Sequence, residues 1–258
     1  MKVLGVIPSR YASTRFPGKP LVDIQGKTMI QRVYEQAMKA KSLSKVIVAT
    51  DDERIFKHVQ SFKGEVMMTS DVHQSGTDRC AEVINQLSSE AFDAVVNIQG
   101  DEPFIDPSQI ESVVEVLKKE QFLIATLVKR IHVTANEMQP VMARDEANWM
   151  IHNPNIVKVV FSSEGKALYF SRSPIPYLRN IPTDEWLLKS EFYKHIGLYA
   201  YKSSVLKEIA LLPPSRLEQL ESLEQLRWLE NGYAIGIAET DLETIGIDTP
   251  EDLLKVNI

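Results

Sequence analysis

The chain has 258 residues, 44% of them hydrophobic, which is enough for a substantial core in one large domain or two small ones. Its 29 Lys and Arg residues against 35 Asp and Glu residues give a formal net charge of -6. The surface as a whole should therefore repel nucleic acid and anionic membranes, and any site for an anionic ligand must be local. The single cysteine, Cys80, excludes an internal disulfide framework, and its apolar neighbours predict a small buried helix residue, not a nucleophile.

The N-terminus enters a short apolar run at once, without a charged leader or a cleavage site. The sequence also has no stretch of about 20 apolar residues that would suit a membrane span. We therefore expect a cytoplasmic protein that is neither exported nor inserted into a membrane.

Apolar runs of strand length alternate with segments of helical period in the first half of the chain. Strands are predicted at 3–7, 45–50, 65–68 and 94–98, and helices at 29–37, 53–62, 77–87 and 107–117. Asp106 and Pro107 open the last helix as N-cap and first helical residue. This order predicts an α/β fold of Rossmann-like type, with a mostly parallel sheet flanked by helices. Ligands on such sheets bind beyond the carboxyl ends of the strands, so the informative residues should follow each strand.

A short basic loop follows the first predicted strand. It contains Arg10, Arg15 and Lys19, each of which can neutralise a phosphoryl oxygen. Gly18 lets the backbone approach a ligand closely, and the prolines of the loop restrict its shape. A solvated basic turn is the alternative, but these cations recur every four or five residues in a chain that is acidic as a whole. We therefore interpret the loop as a phosphate-binding element.

Carboxylates follow two other predicted strands of the first half. Asp51 and Asp52 end one of them, and helix capping explains these residues as well as ligand contact does. Asp101 lies between Gly100 and Pro103, which indicate a tight turn that fixes the acid at the sheet edge facing the basic loop. There it can hold Mg²⁺, which takes one or two carboxylates together with substrate phosphates and waters.

Another acidic candidate lies near the C-terminus. Thr249, Pro250 and Asp252 suit an N-cap, a first helical residue and the acid of a capping box. That cap does not need Asp248. Asp248 ends an apolar run, 244–247, which as a strand would carry this carboxylate to the same sheet edge as Asp101. On the sequence alone, an ordinary turn aspartate explains Asp248 as well as metal binding does.

The chain after residue 122 has a different pattern. Strand-like strings occur at 122–129, 156–161, 167–172, 174–179 and 195–199. They predict a strand-rich insertion whose arginines, histidine and tyrosine suit an anionic, hydroxylated ligand, and whose prolines and aromatic residues suit a dimer surface. The polar stretch 130–155 is long for a loop and should contain a short helix around 143–150. An amphipathic helix with a leucine stripe is predicted at 217–230, where the stripe is either core or interface.

Seven strings together carry a family resemblance. They are RYASTRFPGKPL (10–21), HQSGTDR (73–79), NIQGDEP (97–103), YFSR (169–172), HIGLY (195–199), LEQLR (223–227) and DTPED (248–252). In this order, over nearly the whole chain, they resemble the 3-deoxy-manno-octulosonate cytidylyltransferases, or CMP-Kdo synthetases. The resemblance implies an enzyme that joins 3-deoxy-manno-octulosonate (Kdo) to CMP from CTP, releases pyrophosphate and supplies lipopolysaccharide synthesis. It also implies a Mg²⁺ cofactor, a homodimer and one nucleotidyltransferase domain over 1–258, with a sugar-binding and dimerisation subregion at about 130–215.

The resemblance also implies residue roles. Nucleotide contacts would come from Arg10, Arg15, Lys19, Gln74, Ser75, Arg79 and Asp101. Sugar contacts would come from Gln99, Arg172, Arg179, His195, Tyr199, Glu224 and Gln225. Mg²⁺ would be held by Asp101 and Asp248, and these two with Arg15 and Lys19 would be the catalytic residues. The stretch 130–155 departs from the family by its length, which puts the sugar-side lid in doubt.

Two other functions would use parts of the same sequence. A nucleotidyltransferase for another sugar, such as sialic acid, an amino-substituted Kdo or a hexose phosphate, would use the same kind of basic loop. Hexose-phosphate enzymes usually have a glycine-rich loop where this chain has Ser9, Arg10 and Tyr11. The other rival, a non-catalytic nucleotide-sensing module, would need neither Asp101 nor Asp248.

Overall fold

The computed structural model describes residues 1–12, 16–132, 147–243 and 246–254. One mixed sheet of nine strands organises them, with a separate two-stranded hairpin. The strands are β1 (Val3–Ser9), β2 (Asp23–Ile24), β3 (Lys27–Thr28), β4 (Leu43–Thr50), β5 (Val66–Met68), β6 (Ala94–Asn97), β7 (Ile124–Ile131), β8 (Lys158–Phe161), β9 (Ala167–Ser171), β10 (Phe192–Lys202) and β11 (Ile235–Glu239).

The helices pack on both faces of this sheet. They are α1 (Met29–Ala37), α2 (Glu53–Ser61), α3 (Gly76–Gln86), α4 (Pro107–Lys118), α5 (which includes 147–152), α6 (Trp186–Lys189), α7 (Ser203–Ile209), α8 (Arg216–Glu221), α9 (Gln225–Glu230) and α10 (Pro250–Leu254). One large apolar cluster includes α1 and α4, and a second includes α3, α7 and α9. In the described parts of the chain, no helix has the length and apolarity needed to cross a membrane.

The strand order β11-β7-β10-β6-β1-β4-β5 confirms the predicted α/β fold with a mostly parallel sheet. Strand β1 is parallel to β4 on one side and to β6 on the other. Ser9 at the end of β1 lies beside Thr50 at the end of β4. The loops that follow β1, β4 and β6 therefore leave the sheet at one edge, as parallel pairing requires.

Local signals predicted several helix starts correctly. Asp106 caps α4 in a capping box with Gln109, and Pro107 is its first residue. Thr249 precedes α10, which begins at Pro250, and the Asp252 carboxylate accepts a hydrogen bond from the backbone N–H of Thr249 at 3.1 Å. These signals are reliable because they depend on a few neighbouring residues and not on the rest of the fold.

Three predictions in the second half of the chain are wrong. The string 195–199 does not belong to an insertion, because it is part of β10, which pairs antiparallel with both β6 and β7 inside the central sheet. The string 174–179 forms no strand, and it contains a cis Ile175–Pro176 bond. The predicted helix 217–230 is two helices, α8 and α9, because Ser222 between them has left-handed backbone angles.

Two predictions concern residues that the structure describes only in part. Of the predicted helix 143–150, residues 147–150 are helical and the rest lie outside the described residues. Of the predicted strand 244–247, residues 246 and 247 are not in a strand, and 244–245 lie outside the description. The last strand of the chain is instead β11, which pairs in parallel with β7 at one side of the sheet.

Candidate active site

A cavity of about 420 Å³ opens where the loops after β1 and β6 meet. It is lined by Pro8, Ser9, Arg10, Ala12, Lys19, Pro20, Gln99, Gly100, Asp101 and Asp248. Three segments that are far apart in the sequence thus contribute to one concave site beyond the carboxyl ends of the strands. This is the position at which ligands bind on such sheets.

Lys19 joins the two predicted acids in this cavity. Its ammonium Nζ lies 2.8 Å from Asp101 Oδ2 and 3.1 Å from Asp248 Oδ1. The lysine side chain is 14% exposed, whereas the two carboxylates are 32% and 45% exposed. The structure therefore brings Asp101 and Asp248 within reach of a single cation. Both carboxylates remain partly exposed to solvent.

Backbone hydrogen bonds, in addition to the Lys19 ion pairs, hold these two acids close together. The N–H of Ile247 donates a 2.9 Å hydrogen bond to the carbonyl of Asp101. The N–H of Asp248 donates to Asp252 Oδ2 at 3.1 Å, so the cap of α10 also orients this turn. Ile247 is buried in a small apolar cluster with Ile24 and Met29. Burial of Ile247 thus adds to these hydrogen bonds in anchoring the C-terminal segment beside the cavity.

The basic loop ends in a tight turn before Lys19. Gly18 has φ +73°, a left-handed conformation that favours glycine, and its N–H donates to the carbonyl of Tyr11 at 3.0 Å. Lys19, Pro20 and Leu21 then form one 3-10 turn. Arg10 lies at the start of the loop, exposed and on the wall of the cavity. Arg15 lies outside the described residues, so its predicted role stays a prediction.

Gly100 occupies a close approach between the ends of β1 and β6. A Cβ at this position would lie 2.8 Å from the carbonyl oxygen of Pro8, which is backbone and cannot rotate away. We expect Gly100→Ala to push the Asp101 turn out of place, destabilise the fold by about 1–3 kcal/mol and reduce kcat by about tenfold or more. Urea unfolding and steady-state kinetics measure both effects.

The matched control is Gly246→Ala, because a Cβ at Gly246 would meet no atom within 4 Å. This variant should keep stability and kcat close to those of the parent chain. If Gly100→Ala behaves like Gly246→Ala, the close approach does not fix the turn.

The residues predicted to lie near the nucleotide are placed around the start of α3. Ser75 is the N-cap and forms a capping box with Asp78. Gln74 is exposed, and its Nε2 donates to the carbonyl of Val72 at 3.1 Å. Arg79 does not face the cavity opening: it is 1% exposed.

Arg79 is engaged in a buried ion pair. Its Nη2 lies 2.8 Å from Asp51 Oδ2, and its Nη1 donates to Thr69 Oγ1. Asp51 thus pairs with a side chain of α3 and does not cap the following helix α2, since Asp52 is the N-cap of α2. In this structure Arg79 fastens α3 to the ends of β4 and β5, and its predicted nucleotide contact remains a prediction.

His195 and Tyr199 lie together on β10, with ring centroids 5.3 Å apart. His195 Nε2 is 2.9 Å from Thr126 Oγ1 on β7. Burial lowers the pKa of His195 to about 3, so the ring is neutral at physiological pH. Burial also raises the pKa of Tyr199, so its phenol keeps its proton. The pair can therefore offer neutral hydrogen-bonding groups but no charge.

Glu224 and Gln225 lie at the start of α9, just after the break between α8 and α9. Glu224 Oε2 accepts a 2.9 Å hydrogen bond from Thr77 Oγ1 on α3. Burial raises the pKa of this glutamate. Within the described residues, the side-chain Nε2 of Gln225 is buried without a hydrogen-bond partner. Such an unsatisfied donor is costly in a packed protein and indicates a place for a polar ligand or an ordered water.

The remaining predicted sugar-binding residues differ in how far their side chains are already hydrogen-bonded within the protein. Gln99 lines the cavity, and its Nε2 donates to the carbonyl of Gly197 at 2.8 Å. Arg179 is exposed. Arg172 is committed to backbone carbonyls: it donates to Glu221 at 2.6 Å, Pro154 at 2.9 Å and Ser222 at 3.3 Å. In this structure Arg172 therefore holds the end of α8 and the turn that leads to Glu224.

Sequence reasoning missed some polar residues of the site. Ser9 ends β1 on the cavity wall, and its buried Oγ has no hydrogen-bond partner among the described residues. Thr126, which contacts His195, also bonds the carbonyls of Ile196 and Leu198. Ser9 followed a predicted strand and could have been included by that rule. Thr126 lies inside a strand, where the sequence gives no signal of its partner.

The described residues contain no cluster of three or more His, Cys, Asp or Glu side chains that could hold a metal ion. Asp101 and Asp248 are a pair, and their common neighbour is an ammonium group. A pair of carboxylates beside a phosphate site is the donor set that Mg²⁺ needs from a protein, since waters and phosphate oxygens complete its shell.

The fold, the cavity at the sheet edge and its combination of cations with paired carboxylates are those of a nucleotidyltransferase. A cytidylyltransferase family model matches residues 4–242. A 3-deoxy-manno-octulosonate cytidylyltransferase from Parabacteroides distasonis is 55% identical over 99% of this chain and 96% of its own length. Another from Bacteroides thetaiotaomicron is 56% identical over 98% of this chain and 96% of its own length.

A solved structure gives the same result. The structure of CMP:2-keto-3-deoxy-manno-octonic acid synthetase complexed with CTP is 42% identical, covers 100% of this chain and 97% of that one, and superposes with a TM-score of 0.86. A cytidylyltransferase structure from Leptospira borgpetersenii, with 16% identity and a TM-score of 0.59 over 100% of this chain and 85% of that one, shows a common fold alone. The chain therefore belongs to the cytidylyltransferase family, among the 3-deoxy-manno-octulosonate cytidylyltransferases.

Proposed function

We propose that this chain converts CTP and Kdo to CMP-Kdo and pyrophosphate. The observation that carries the proposal is the Lys19 ammonium between Asp101 and Asp248, in a cavity at the end of a basic loop. The full-length identity to relatives that are named for this reaction supports the choice of substrates. The product serves lipopolysaccharide synthesis, and the reaction takes place in the cytoplasm.

The triphosphate lies against the basic loop. Arg10 and Lys19 line the cavity, and Arg15 belongs to the same loop in the sequence. Guanidinium and ammonium groups form charge-assisted hydrogen bonds with phosphate oxygens, which are stronger than neutral ones. Gln74, Ser75 and Arg79 are assigned to the nucleoside end, where α3 begins.

Kdo is assigned to the side of the site where Gln99, which lines the cavity, bonds the Gly197 carbonyl of β10. Gln99, His195, Tyr199, Glu224 and Gln225 suit its hydroxyl groups, because each offers a donor or acceptor. Arg179 and Arg172 are assigned to its carboxylate, and the exposed Arg179 is the more available of the two. The Nε2 of Gln225, which has no hydrogen-bond partner in the described part of the chain, supports this placement.

Mg²⁺ is the proposed cofactor, and Asp101 and Asp248 are the residues that would hold it. The geometry fits, since both carboxylates already approach one cationic nitrogen and neither is fully buried. When bound, the ion would neutralise phosphate charge and lower the pKa of the attacking hydroxyl. The positions of Asp101 and Asp248 also let Lys19 exchange its carboxylate partners for phosphate oxygens.

The reaction is an in-line attack of the anomeric hydroxyl of Kdo on the α-phosphorus of CTP. The new bond joins that oxygen to the α-phosphorus, the bond to the departing pyrophosphate breaks, and the hydroxyl proton is released to water. No covalent enzyme intermediate is needed, because such transfers are catalysed by positioning and by electrostatic stabilisation. Lys19 and Arg15 stabilise the charge on the leaving pyrophosphate, while Arg10 fixes the triphosphate.

We propose a homodimer as the working assembly. A small apolar cluster of Ile131, Ala147, Ile151, Trp186 and Phe192 lies outside the two main clusters. Exposed Tyr177 makes a T-shaped ring contact with Trp186, with ring centroids 5.2 Å apart. Analytical ultracentrifugation measures the assembly directly, and a concentration-independent monomer would contradict the dimer.

The activity is tested by incubating the protein with CTP, Kdo and Mg²⁺ and measuring pyrophosphate and CMP-Kdo. We expect product with Kdo only, and none when sialic acid or a hexose phosphate replaces it. Product with sialic acid and not with Kdo would indicate the rival transferase. CTP binding without any product in all three incubations would favour the nucleotide-sensing module.

A further inference from the structure

One aromatic side chain closes the base of the basic loop, and the proposed reaction assigns it no role. The carbonyl of Tyr11 accepts the 3.0 Å hydrogen bond from the N–H of Gly18. The ring of Tyr11 lies over the same glycine, so that a Cβ on Gly18 would be 3.1 Å from the ring atoms Cζ and Oη. Tyr11 therefore contacts the Gly18 turn, immediately before Lys19, with both its backbone and its ring.

A cation from outside the loop stacks on this ring. The guanidinium carbon of Arg54, near the start of α2, lies 3.2 Å from the centroid of the Tyr11 ring. Arginine stacks well on aromatic faces because its guanidinium is planar and weakly hydrated. The contact ties α2 to a loop that is more than 40 residues earlier in the chain.

Arg54 is itself held in place by an acid. Its Nε and Nη2 donate to the two carboxylate oxygens of Asp52 at 2.9 Å and 2.6 Å. Asp52 is fixed in turn, because it is the N-cap of α2 and accepts from the backbone N–H of Arg54 at 2.9 Å. A forked pair of this kind restricts a long side chain that would otherwise sample many rotamers.

We infer that Arg54 is a positioning residue for the phosphate-binding loop. Asp52 orients Arg54, Arg54 orders the ring of Tyr11, and the ring holds the Gly18 turn from which Lys19 enters the cavity. This inference rests on the proposed function, since it takes the triphosphate of CTP as the ligand of the loop. The charge of Arg54 is already paired with Asp52, so its effect passes through Tyr11 and not through direct contact with phosphate.

The test is a double-mutant cycle with Arg54→Gln, Tyr11→Leu and the combined variant. CTP affinity is measured by calorimetry, and kcat and both KM values by steady-state kinetics. We expect Arg54→Gln to weaken CTP binding about two- to fivefold, as the loss of a stacked cation at an exposed site predicts. The combined variant should bind CTP no more weakly than Tyr11→Leu alone, while kcat and the KM for Kdo stay within about twofold of the parent values.

Two single variants serve as controls. Lys57→Gln removes the same charge from the same helix, where Lys57 pairs with Glu53 at 3.3 Å, and it should leave CTP affinity unchanged. Tyr11→Phe keeps the ring and should also bind CTP like the parent. An additive cycle would show that Arg54 acts independently of Tyr11, and unchanged affinity in Arg54→Gln would show that it does not act on the loop. Either result overturns the inference.

Failure of the proposed reaction and failure of the Arg54 inference give different results. A parent protein that binds CTP but makes no CMP-Kdo refutes the proposed reaction, and the cycle in CTP affinity still decides the role of Arg54. A parent protein that does not bind CTP overturns both.

Discussion

Asp101→Asn and Asp248→Asn should each lower kcat by about 10²–10³-fold, while CTP binding weakens by less than about tenfold. Each substitution keeps the shape of the side chain and removes the negative charge proposed to hold Mg²⁺. The charge matters most in the transition state, where the α-phosphorus is attacked and pyrophosphate departs. Steady-state kinetics over a series of Mg²⁺ concentrations, together with CTP titration by calorimetry, separates the two effects.

The control for this prediction is Glu115→Gln, which removes a carboxylate from the exposed face of α4. Glu115 is 59% exposed and pairs with Lys118, near the helix end farther from the Asp101 turn. Its kcat should equal that of the parent. Near wild-type turnover in either aspartate variant at ordinary Mg²⁺ would refute the assignment of that residue as a metal ligand.

Arg79→Met should destabilise the fold by about 3–5 kcal/mol, because it leaves the Asp51 carboxylate without its buried partner. The Arg79 side chain is 1% exposed and that of Asp51 15% exposed, so solvent screens this pair less than it screens a surface pair. Loss of Arg79 also removes the donor to Thr69. Urea unfolding followed by circular dichroism measures the change in the free energy of unfolding.

The matched control is Arg130→Met. Arg130 and Glu191 form an ion pair at 2.8 Å in which each side chain is 51% exposed, so the same substitution should cost less than about 1 kcal/mol. A result in which Arg79→Met keeps full stability but loses CTP affinity would contradict the structural role. It would support the nucleotide contact that the family resemblance implies.

The parts of the fold that follow from local chemistry could be predicted from the sequence. Continuous apolar runs predicted the parallel strands β1, β4 and β6, and caps such as Asp106 predicted where helices begin. The rule that ligands bind after the strands then singled out Lys19 and Asp101. The structure brings both to one cavity because β1 and β6 are neighbours in the sheet.

The errors have a different physical origin, since they depend on contacts between distant residues. The leucine stripe at 217–230 predicted one helix, but Ser222 adopts a left-handed conformation there, and Arg172 bonds the carbonyls of Glu221 and Ser222 at the end of α8. The place of β10 inside the sheet depends on pairing with β6 and β7, which no local pattern encodes. Likewise, nothing near Arg79 in the sequence indicates its burial against Asp51.

The course of β10 limits how the enzyme can respond to its substrates. Its second half is locked between β6 and β7, whereas its first half, which includes His195, pairs with β7 and touches β8. Sliding this strand would break hydrogen bonds along the middle of the molecule. The proposed floor of the sugar site is thus part of the central sheet, so we expect adaptation to a ligand to come from the surrounding loops.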